Sequence, residues 1–456
     1  MPSARSQTLA LDWIKERISQ EGALPVSNFN SKPYPEVTGY SIPTLLRSGE
    51  RGLALKMARW LLRQQRSDGS FPGIDGEPQI FDTAQVVRGL LALGSDLPGA
   101  SECVSRAAEW MLSEVDSRVG CWIRTDSPSW VGVPEAILLY TIWPLERAIS
   151  ISKGQSTHAD QLAKIKHFYA NRTRVRTNSH FLGYIAAGLQ EIGLLSSARR
   201  VVRRPHRPTW PGTAQLAEVH FRLGEWEAGE GLLRDMANGQ QPSGGWTGGA
   251  PDYFDREEVS WAPKFYLDAC AAMREAWFVR TASTIPSFID RNDERLRILL
   301  ELAGDVGQGR ILDVGCGKGR YLWYLQNKFP RTELHACDIS SELLQSVPLG
   351  VRANVAPVTL LPYPDNFFDL VVCVEALEHA VFIEQALAEL RRVTKPGGRL
   401  LVIDKDRDAW GTLPVAPWEQ WFEAPFLEHS VKLRMDRGLF RAWYEDLPRM
   451  KIETSS

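Results

Sequence analysis

One nine-residue stretch does most to limit what this chain can become: Ile311-Leu312-Asp313-Val314-Gly315-Cys316-Gly317-Lys318-Gly319. Arg310 to Val314 reads as a short buried strand, the three glycines as a tight turn, and Tyr321 onward as a helix. Strand, glycine turn and helix start together make a nucleotide-binding corner: glycine lets the backbone approach a ligand, and the helix N-terminus faces it. The spacing is G-x-G-x-G followed by Arg320, so the dinucleotide fingerprint fails at its last position. The Gly-Lys-Ser/Thr of a phosphate-binding loop is also missing. A second strand, Glu333 to Cys337, ends in Asp338, 19 residues beyond Gly319, where an acid is placed to accept both hydroxyls of a ribose.

Further blocks follow in order. Leu361-Pro362-Tyr363-Pro364-Asp365-Asn366-Phe367-Phe368-Asp369 leads into a strand at Leu370 to Val374, then Glu375-Ala376-Leu377-Glu378-His379. A helix from about Phe382 to Val393 precedes Lys395-Pro396-Gly397-Gly398 and a strand at Arg399 to Ile403. With ILDVGCGKG at its head, this series resembles the class I S-adenosylmethionine-dependent methyltransferases of the type 11 kind. The resemblance implies a Rossmann-like α/β domain over residues 285–456 and S-adenosyl-L-methionine as cofactor. It implies that Asp313, Gly315, Gly317 and Gly319 line the amino-acid end of the cofactor and that Asp338 binds its ribose. Leu361 and Glu375 complete the cofactor set, with Glu375 at the methyl-transfer mouth. One departure stands out. No acid lies between Arg352 and Pro362, only Asn354 and Thr359, so adenine recognition is expected to rest on backbone groups and apolar walls.

Glu375-x-x-Glu378-His379 places two carboxylates and an imidazole near a strand-to-helix turn. Converging on one divalent ion, they would suit Mg or, with the His, Mn. The same pattern occurs in ubiquinone-pathway O-methyltransferases and RNA 3′-terminal methyltransferases, where a metal gathers acceptor oxygens. The alternative is that Glu378 and His379 shape the active-site rim without metal. Glu375, His379 and His429 are the candidate catalytic residues, His429 as a fourth ligand or a base. Trp418 and Trp421, three apart in Pro417-Trp418-Glu419-Gln420-Trp421-Phe422, are expected on the acceptor side beside Asp404. Ser430 to Asp436 and Leu439 to Tyr444 alternate around Arg437-Gly438, which reads as an antiparallel hairpin closing the sheet. No Asp/Asn-Pro-Pro-Tyr run is present, which weakens a nucleobase-amine acceptor.

The first 280 residues have a different texture. Ala54, Met57, Ala58, Leu61 and Leu62 recur at helical spacing. The helix they define ends in Gln65-Arg66-Ser67-Asp68-Gly69-Ser70-Phe71, and Asp82 reads as the N-cap of the next. The Q-x-x-x-G-x-W/F spacing returns at Gln240 to Trp246 and, degenerate, at Asp116 to Trp122, each time between two helices. Repeated helix pairs point to stacked hairpins that curve or close. The motif resembles the Gln-Trp repeat of the squalene-cyclase and protein-prenyltransferase superfamily, implying an all-α, α/α-toroid domain over residues 1–280. The protonating Asp-x-Asp-Asp of the cyclases is missing. Asp268-Ala269-Cys270 matches part of the prenyltransferase zinc site, but no His follows within the domain. Tyr34, Glu36, Tyr40, Asp82, Trp130, Glu135, Tyr253 and Asp255 precede or follow the helices. At a toroid mouth they can bind carbohydrate or supply an acid/base pair, Glu36 and Asp82 above all.

Charge and composition bound the rest. Lys and Arg number 53 against 55 Asp and Glu, which excludes a broadly basic nucleic-acid binder. Within residues 151–210, however, 11 basic residues face only Asp160 and Glu191, a local excess of nine that can hold phosphate or carboxylate. Six scattered cysteines signal neither a disulfide framework nor a zinc ribbon. No leader-like start and no run long enough to span a membrane is visible, so a cytoplasmic location is expected. Of 16 tryptophans, Trp60, Trp110, Trp122, Trp246 and Trp261 read as framework, and Trp410, Trp418 and Trp421 as acceptor-side. The whole reads as a methyltransferase, most simply an O-methyltransferase acting on a hydroxyl of a glycan or glycan precursor, with the toroid binding the acceptor. Two alternatives remain: a bifunctional enzyme with a lyase, hydrolase or epimerase site in the toroid, or a toroid that is only a protein-interaction scaffold.

Overall fold

Apolar residues at helical spacing build the N-terminal unit entirely from helices and turns, in a computed structural model that describes residues 2–123, 132–151, 155–304, 306–405, 429–435 and 438–447. The chain forms two units, one of residues 1–46 with 50–273 and one of residues 47–49 with 274–456. The first contains α1 (Ala4–Arg17), α2 (Pro35–Arg47), α3 (Arg51–Gln64), α4 (Ile80–Leu93) and α5 (Ala100–Ser113). A 3-10 stretch (Glu135–Thr141) runs into α6 (Ile142–Ile151), followed by α7 (Gln155–Ala170), α8 (Ser179–Glu191) and α9 (Leu195–Val202). Last come α10 (Trp210–Arg222), α11 (Trp226–Gly239) and α12 (Trp261–Arg280). Helices α2, α4, α8, α10 and the first half of α12 are buried nearly all round, whereas α1, α3 and α11 bury one face. A helix apolar on every side needs protein on every side, so the former make an inner layer and the latter an outer one.

The repeated turn has a physical basis. The Gln65 amide donates to the carbonyls of Gly69 at 3.0 Å and Cys103 at 2.8 Å. Gln240 does the same to Gly244 at 3.0 Å and Ser6 at 2.9 Å. Trp122 and Trp246 close their turns by donating to Met111 and Met236. Gly69, Gly120 and Gly244 sit at φ of 97°, 86° and 95°, and a Cβ at any of them would strike the backbone of α5, α7 or α1 respectively. Gly22, at φ 102°, forms a further turn of this shape against α3 that the sequence pattern does not display, because Ile18 stands where the Gln would be. The last hairpin is tied to the first: Ser260 donates its N–H to Val26 at 3.0 Å, and Trp13 donates to Glu258 at 2.5 Å.

One expectation for this unit needs correction. Asp82 is not an N-cap. Gln79 holds that position, and Asp82 lies in the first turn of α4, wholly buried. Within the basic segment, Arg199 and Arg203 pair with Glu225, and Arg207 with Asp252.

The C-terminal unit has a seven-stranded sheet in the order β3-β2-β1-β4-β5-β7-β6. The strands are β1 (Arg310–Val314), β2 (Glu333–Asp338), β3 (Arg352–Val355), β4 (Phe368–Val374), β5 (Thr394–Lys405), β6 (His429–Met435) and β7 (Gly438–Asp446). The first five are parallel, and β7 runs antiparallel to both β5 and β6, so the expected closing hairpin is present. Leu312, Val371 and Leu400 pack on one face with Leu387 and Leu390 of α16 (Ile383–Val393). Ile311, Val372 and Leu401 pack on the other with α13 (Glu294–Gly304) and α14 (Leu322–Lys328). Apolar residues on both faces are what a covered parallel sheet requires. A short α15 (Ser341–Leu344) follows β2. Strand order reverses between β1 and β4, and in open α/β sheets such a switch point opens a ligand crevice at the strands' carboxyl ends.

Candidate functional site

The glycine turn leaves β1 at that switch point. Gly315 sits at φ 69° and donates its N–H to Cys337 at 2.8 Å, and a Cβ there would collide with Ala376 at the end of β4. Gly317, at φ 55°, donates to Asp338 Oδ2 at 2.8 Å, while Ser340 donates to Oδ1 at 2.9 Å. Each oxygen keeps a lone pair for a further donor, as a ribose diol requires. Burial raises the Asp338 carboxyl despite those bonds. Asp313, 1% exposed, has an unpartnered Oδ2, and burial pushes its carboxyl up to about 7 against the pull of Arg320. A buried, unpartnered carboxyl oxygen is costly, so its presence marks a place made for a ligand donor.

Residues 312–402 match the Methyltransferase domain family. A ubiquinone/menaquinone biosynthesis C-methyltransferase of Stutzerimonas stutzeri is 36% identical over 122 residues, 24% of this chain and 46% of that protein. An uncharacterized protein of Methanocaldococcus jannaschii is 36% identical over 116 residues, 25% of this chain and 49% of that protein. The chain therefore spans about half the length of the curated relatives it matches. An S-adenosylmethionine-dependent methyltransferase of Aquifex aeolicus is similar at 24% identity and a TM-score of 0.28, over 33% of this chain and 87% of that one.

The C-terminal unit carries a class I methyltransferase domain. Its cofactor is S-adenosylmethionine, and the residues present fit that group. The Asp338 clasp suits the ribose, the orphaned Asp313 oxygen suits the cationic amino-acid end, and the Gly317 position leaves room beside the turn. Leu361 is buried, and its N–H donates to Glu389 at 2.7 Å while its carbonyl accepts from Arg392 at 3.1 Å. Those backbone groups are engaged, which leaves Leu361 to act as an apolar wall.

The E-x-x-E-H residues do not share one focus. Glu375 adopts φ 54°, a left-handed backbone uncommon outside glycine, and its carboxylate is gripped by Arg295 and, at 3.0 Å, by Arg320. Arg295 is held in turn by Asp293, through its Nε at 3.0 Å and Nη2 at 2.7 Å, and stacks on Phe440. Glu378 points elsewhere. Its side chain is 2% exposed, ion-paired with Lys405 and 3.5 Å from His379 Nε2, and its N–H donates to Asp404 at 3.1 Å. Among the described residues no group of three or more His, Cys, Asp or Glu is arranged to hold a metal ion. A divalent ion on Glu375, Glu378 and His379 therefore finds no formed site: two guanidiniums supply the positive charge that Glu375 would otherwise seek in a metal.

His429 opens β6 opposite Tyr444, which pairs through Leu401 to Val372. Three inter-strand spacings, roughly 14 Å, thus separate its backbone from β4, and the structure does not bring it to Glu375. Trp410, Trp418, Trp421 and Trp130 lie outside the described residues. Asp404, expected on the acceptor side, is buried and raised well above the usual carboxylate range by burial and by Glu378, whereas roles for Arg295, Arg320 and Lys405 escaped the sequence reading. Only Arg320, directly after Gly319, stood near a motif. Cysteines offer no nucleophile here, since burial pushes Cys337 up to about 12 and raises Cys316 and Cys373 well above the usual thiol range. In the N-terminal unit Asp268 is used by Lys264 at 2.9 Å and Thr44 at 2.7 Å, so the partial zinc motif is a structural contact.

Proposed function

We propose that this protein transfers the methyl group of S-adenosylmethionine to a hydroxyl of a glycan or glycan precursor. We propose too that its helical unit closes into a toroid that binds the acceptor. The observation that carries the methyltransferase reading is the Asp338 clasp on Gly317 beside the orphaned oxygen of Asp313. The tie between the first and last hairpins supports the toroid. Among the described residues, no helix is long and apolar enough to cross a membrane.

The cofactor supplies an electrophilic methyl on a sulfonium, and the chain's residues align the acceptor and take its proton. His379, with Nε2 toward Glu378, is the base in this reading, and Glu378 orients its ring. Glu375 acts as a positioning residue: by bracketing Arg295 and Arg320 it holds the end of β4 in its left-handed turn. A carbon acceptor is the second reading, favoured by the 36% identity to a C-methyltransferase.

The two separate in one experiment. The full chain is given S-adenosylmethionine carrying a carbon-13 methyl, with oligosaccharides or hydroquinones as acceptors. A methoxy resonance on the saccharide supports the proposal. A C-methyl resonance on the hydroquinone overturns the O-methyl reading, and absence of cofactor binding by calorimetry overturns both.

A further inference from the structure

The inner layer of the N-terminal unit carries polar chemistry that methyl transfer does not use. Tyr34 donates its hydroxyl to Asp82 Oδ2 at 3.1 Å, and burial and Glu36 raise both the Tyr34 hydroxyl and the Asp82 carboxyl. Asp82 is fully buried, yet its Oδ1 has no partner, and neither has the hydroxyl of Tyr40, 1% exposed. Glu36, by contrast, stays partly open to solvent. Protein crowds it closely enough for burial to push its carboxyl up to about 7, while Asp82 is raised well above the usual range by burial and by Glu36. Two acids around one hydroxyl thus hold a proton near neutrality, and the group both donates and accepts.

Aromatic rings lead away from this point. Phe81 stands 4.9 Å from Tyr184, Tyr184 lies 5.2 Å from Tyr140, and Phe265 lies 5.7 Å from Tyr40, which fills the interior with touching rings. His180 lies 4.6 Å from Tyr184, 5.5 Å from Tyr253 and 6.1 Å from Trp261, onto which it stacks. Its Nδ1 lies 2.7 Å from Gln215. Burial drives the imidazole down to about 3, so it stands neutral among these rings. Phe254, exposed, stands edge-on to Trp261 at 5.3 Å. Its φ of 49° is an outlier for a bulky residue, and such strain gathers at ligand sites. Lys264 and Asp268 neutralise each other at 2.9 Å, so neither supplies a net charge.

Among the described residues the cation of this cluster, Lys264, is already paired with Asp268, so the cluster does not call for an anion. It offers aromatic faces, a neutral imidazole, an unpartnered carboxyl oxygen and an unpartnered hydroxyl, which together suit the hydroxyls and C–H faces of a neutral ring. We propose that the interior of the N-terminal unit is a sugar-binding site, with Tyr34, Glu36, Tyr40 and Asp82 holding ring hydroxyls and Tyr253 and Trp261 walling the ring. The inference gives chemical form to the acceptor binding proposed above, yet stands without the cofactor. Methylation failing while saccharide still binds would remove that reading alone.

The test is thermal unfolding of the full chain with glucose, mannose, galactose, N-acetylglucosamine, cellobiose or maltose as probes. The proposal expects at least one probe to raise the wild-type midpoint. Asp82→Asn and Tyr40→Phe each change a side chain that has an unsatisfied polar atom in the folded interior, so both variants should unfold at the same or a higher temperature. Each should also bind the probe about tenfold more weakly, a loss typical of a missing hydrogen bond. A lower midpoint in both variants would make the cluster a structural network and overturn the proposal. A shift with inorganic pyrophosphate and with none of the sugars, or no shift with any probe, would overturn it equally.

Discussion

The glycine turn of the C-terminal unit and the recess of the N-terminal unit share a physical signature but assemble it differently. Each leaves a buried carboxyl oxygen without a partner, Asp313 in one and Asp82 in the other. Each has a non-glycine residue in left-handed backbone nearby, Glu375 and Phe254. In the first, the groups come from the ends of neighbouring parallel strands within one run of chain. In the second they come from α2, α4, α8 and α12 and from the segments just before α2 and α12, spread over more than two hundred residues. Adjacent strand ends write a contiguous motif. Inner helices write one or two residues each, and no motif results.

That contrast can be broken most sharply at Asp338. Replacing it by Ala removes the acceptor for two backbone N–H groups as well as for the ribose. Calorimetry should show cofactor affinity falling about a hundredfold, the scale of two lost charge-assisted bonds. If affinity is unchanged, the C-terminal clasp is scaffold and the comparison collapses.

A smaller effect distinguishes the recess. Glu36 moves from 4.5 to about 7 on folding, so between those values the folded chain holds a proton that the unfolded chain has released. The stability this gives is full below 4.5 and is lost as pH rises to about 7. The unfolding midpoint should therefore fall over that window, and Glu36→Gln should flatten the decline. The remaining slope belongs partly to Asp313, shifted in the same direction to about 7. An unchanged slope in Glu36→Gln would mean that Glu36 titrates normally.

The smallest expected effect is at the basic segment. Arg203 is largely exposed and pairs with Glu225 at 3.1 Å, an arrangement that solvent screens. Arg203→Ala should leave both the unfolding midpoint and cofactor affinity unchanged. A marked loss of either would give the segment a role that the recess and the clasp do not share.

Much of the methyltransferase domain was legible because its chemistry is local. Asp313, Gly315, Gly317, Gly319 and Asp338 occupy the expected corner, since a strand end and the turn after it are neighbours in sequence and space alike. The E-x-x-E-H run misled for a related reason. Adjacency along the chain suggested a shared focus, but the left-handed backbone at Glu375 sends that side chain to Arg295 and Arg320, while Glu378 turns to Lys405. His429 lies on the right sheet but three strands from β4. In the helical unit, Tyr34, Glu36, Tyr40, Asp82 and Tyr253 could be singled out as polar residues near helix ends. Nothing in the chain announced that His180, Tyr184 and Trp261 would join them, while Glu135 and Asp255 stay exposed.

By itself the sequence determined the strand–turn–helix corner, the order of the later strands and the recurring Gln–Gly–aromatic turns. Backbone sterics and hydrogen bonding over a few residues decide all of these. Only the tertiary structure decided which charges neutralise each other and which stay unpartnered. Arg295 on Glu375, Arg207 on Asp252 and the lone oxygens of Asp82 and Asp313 depend on groups far apart in the chain, and an unpaired polar atom is a property of its surroundings.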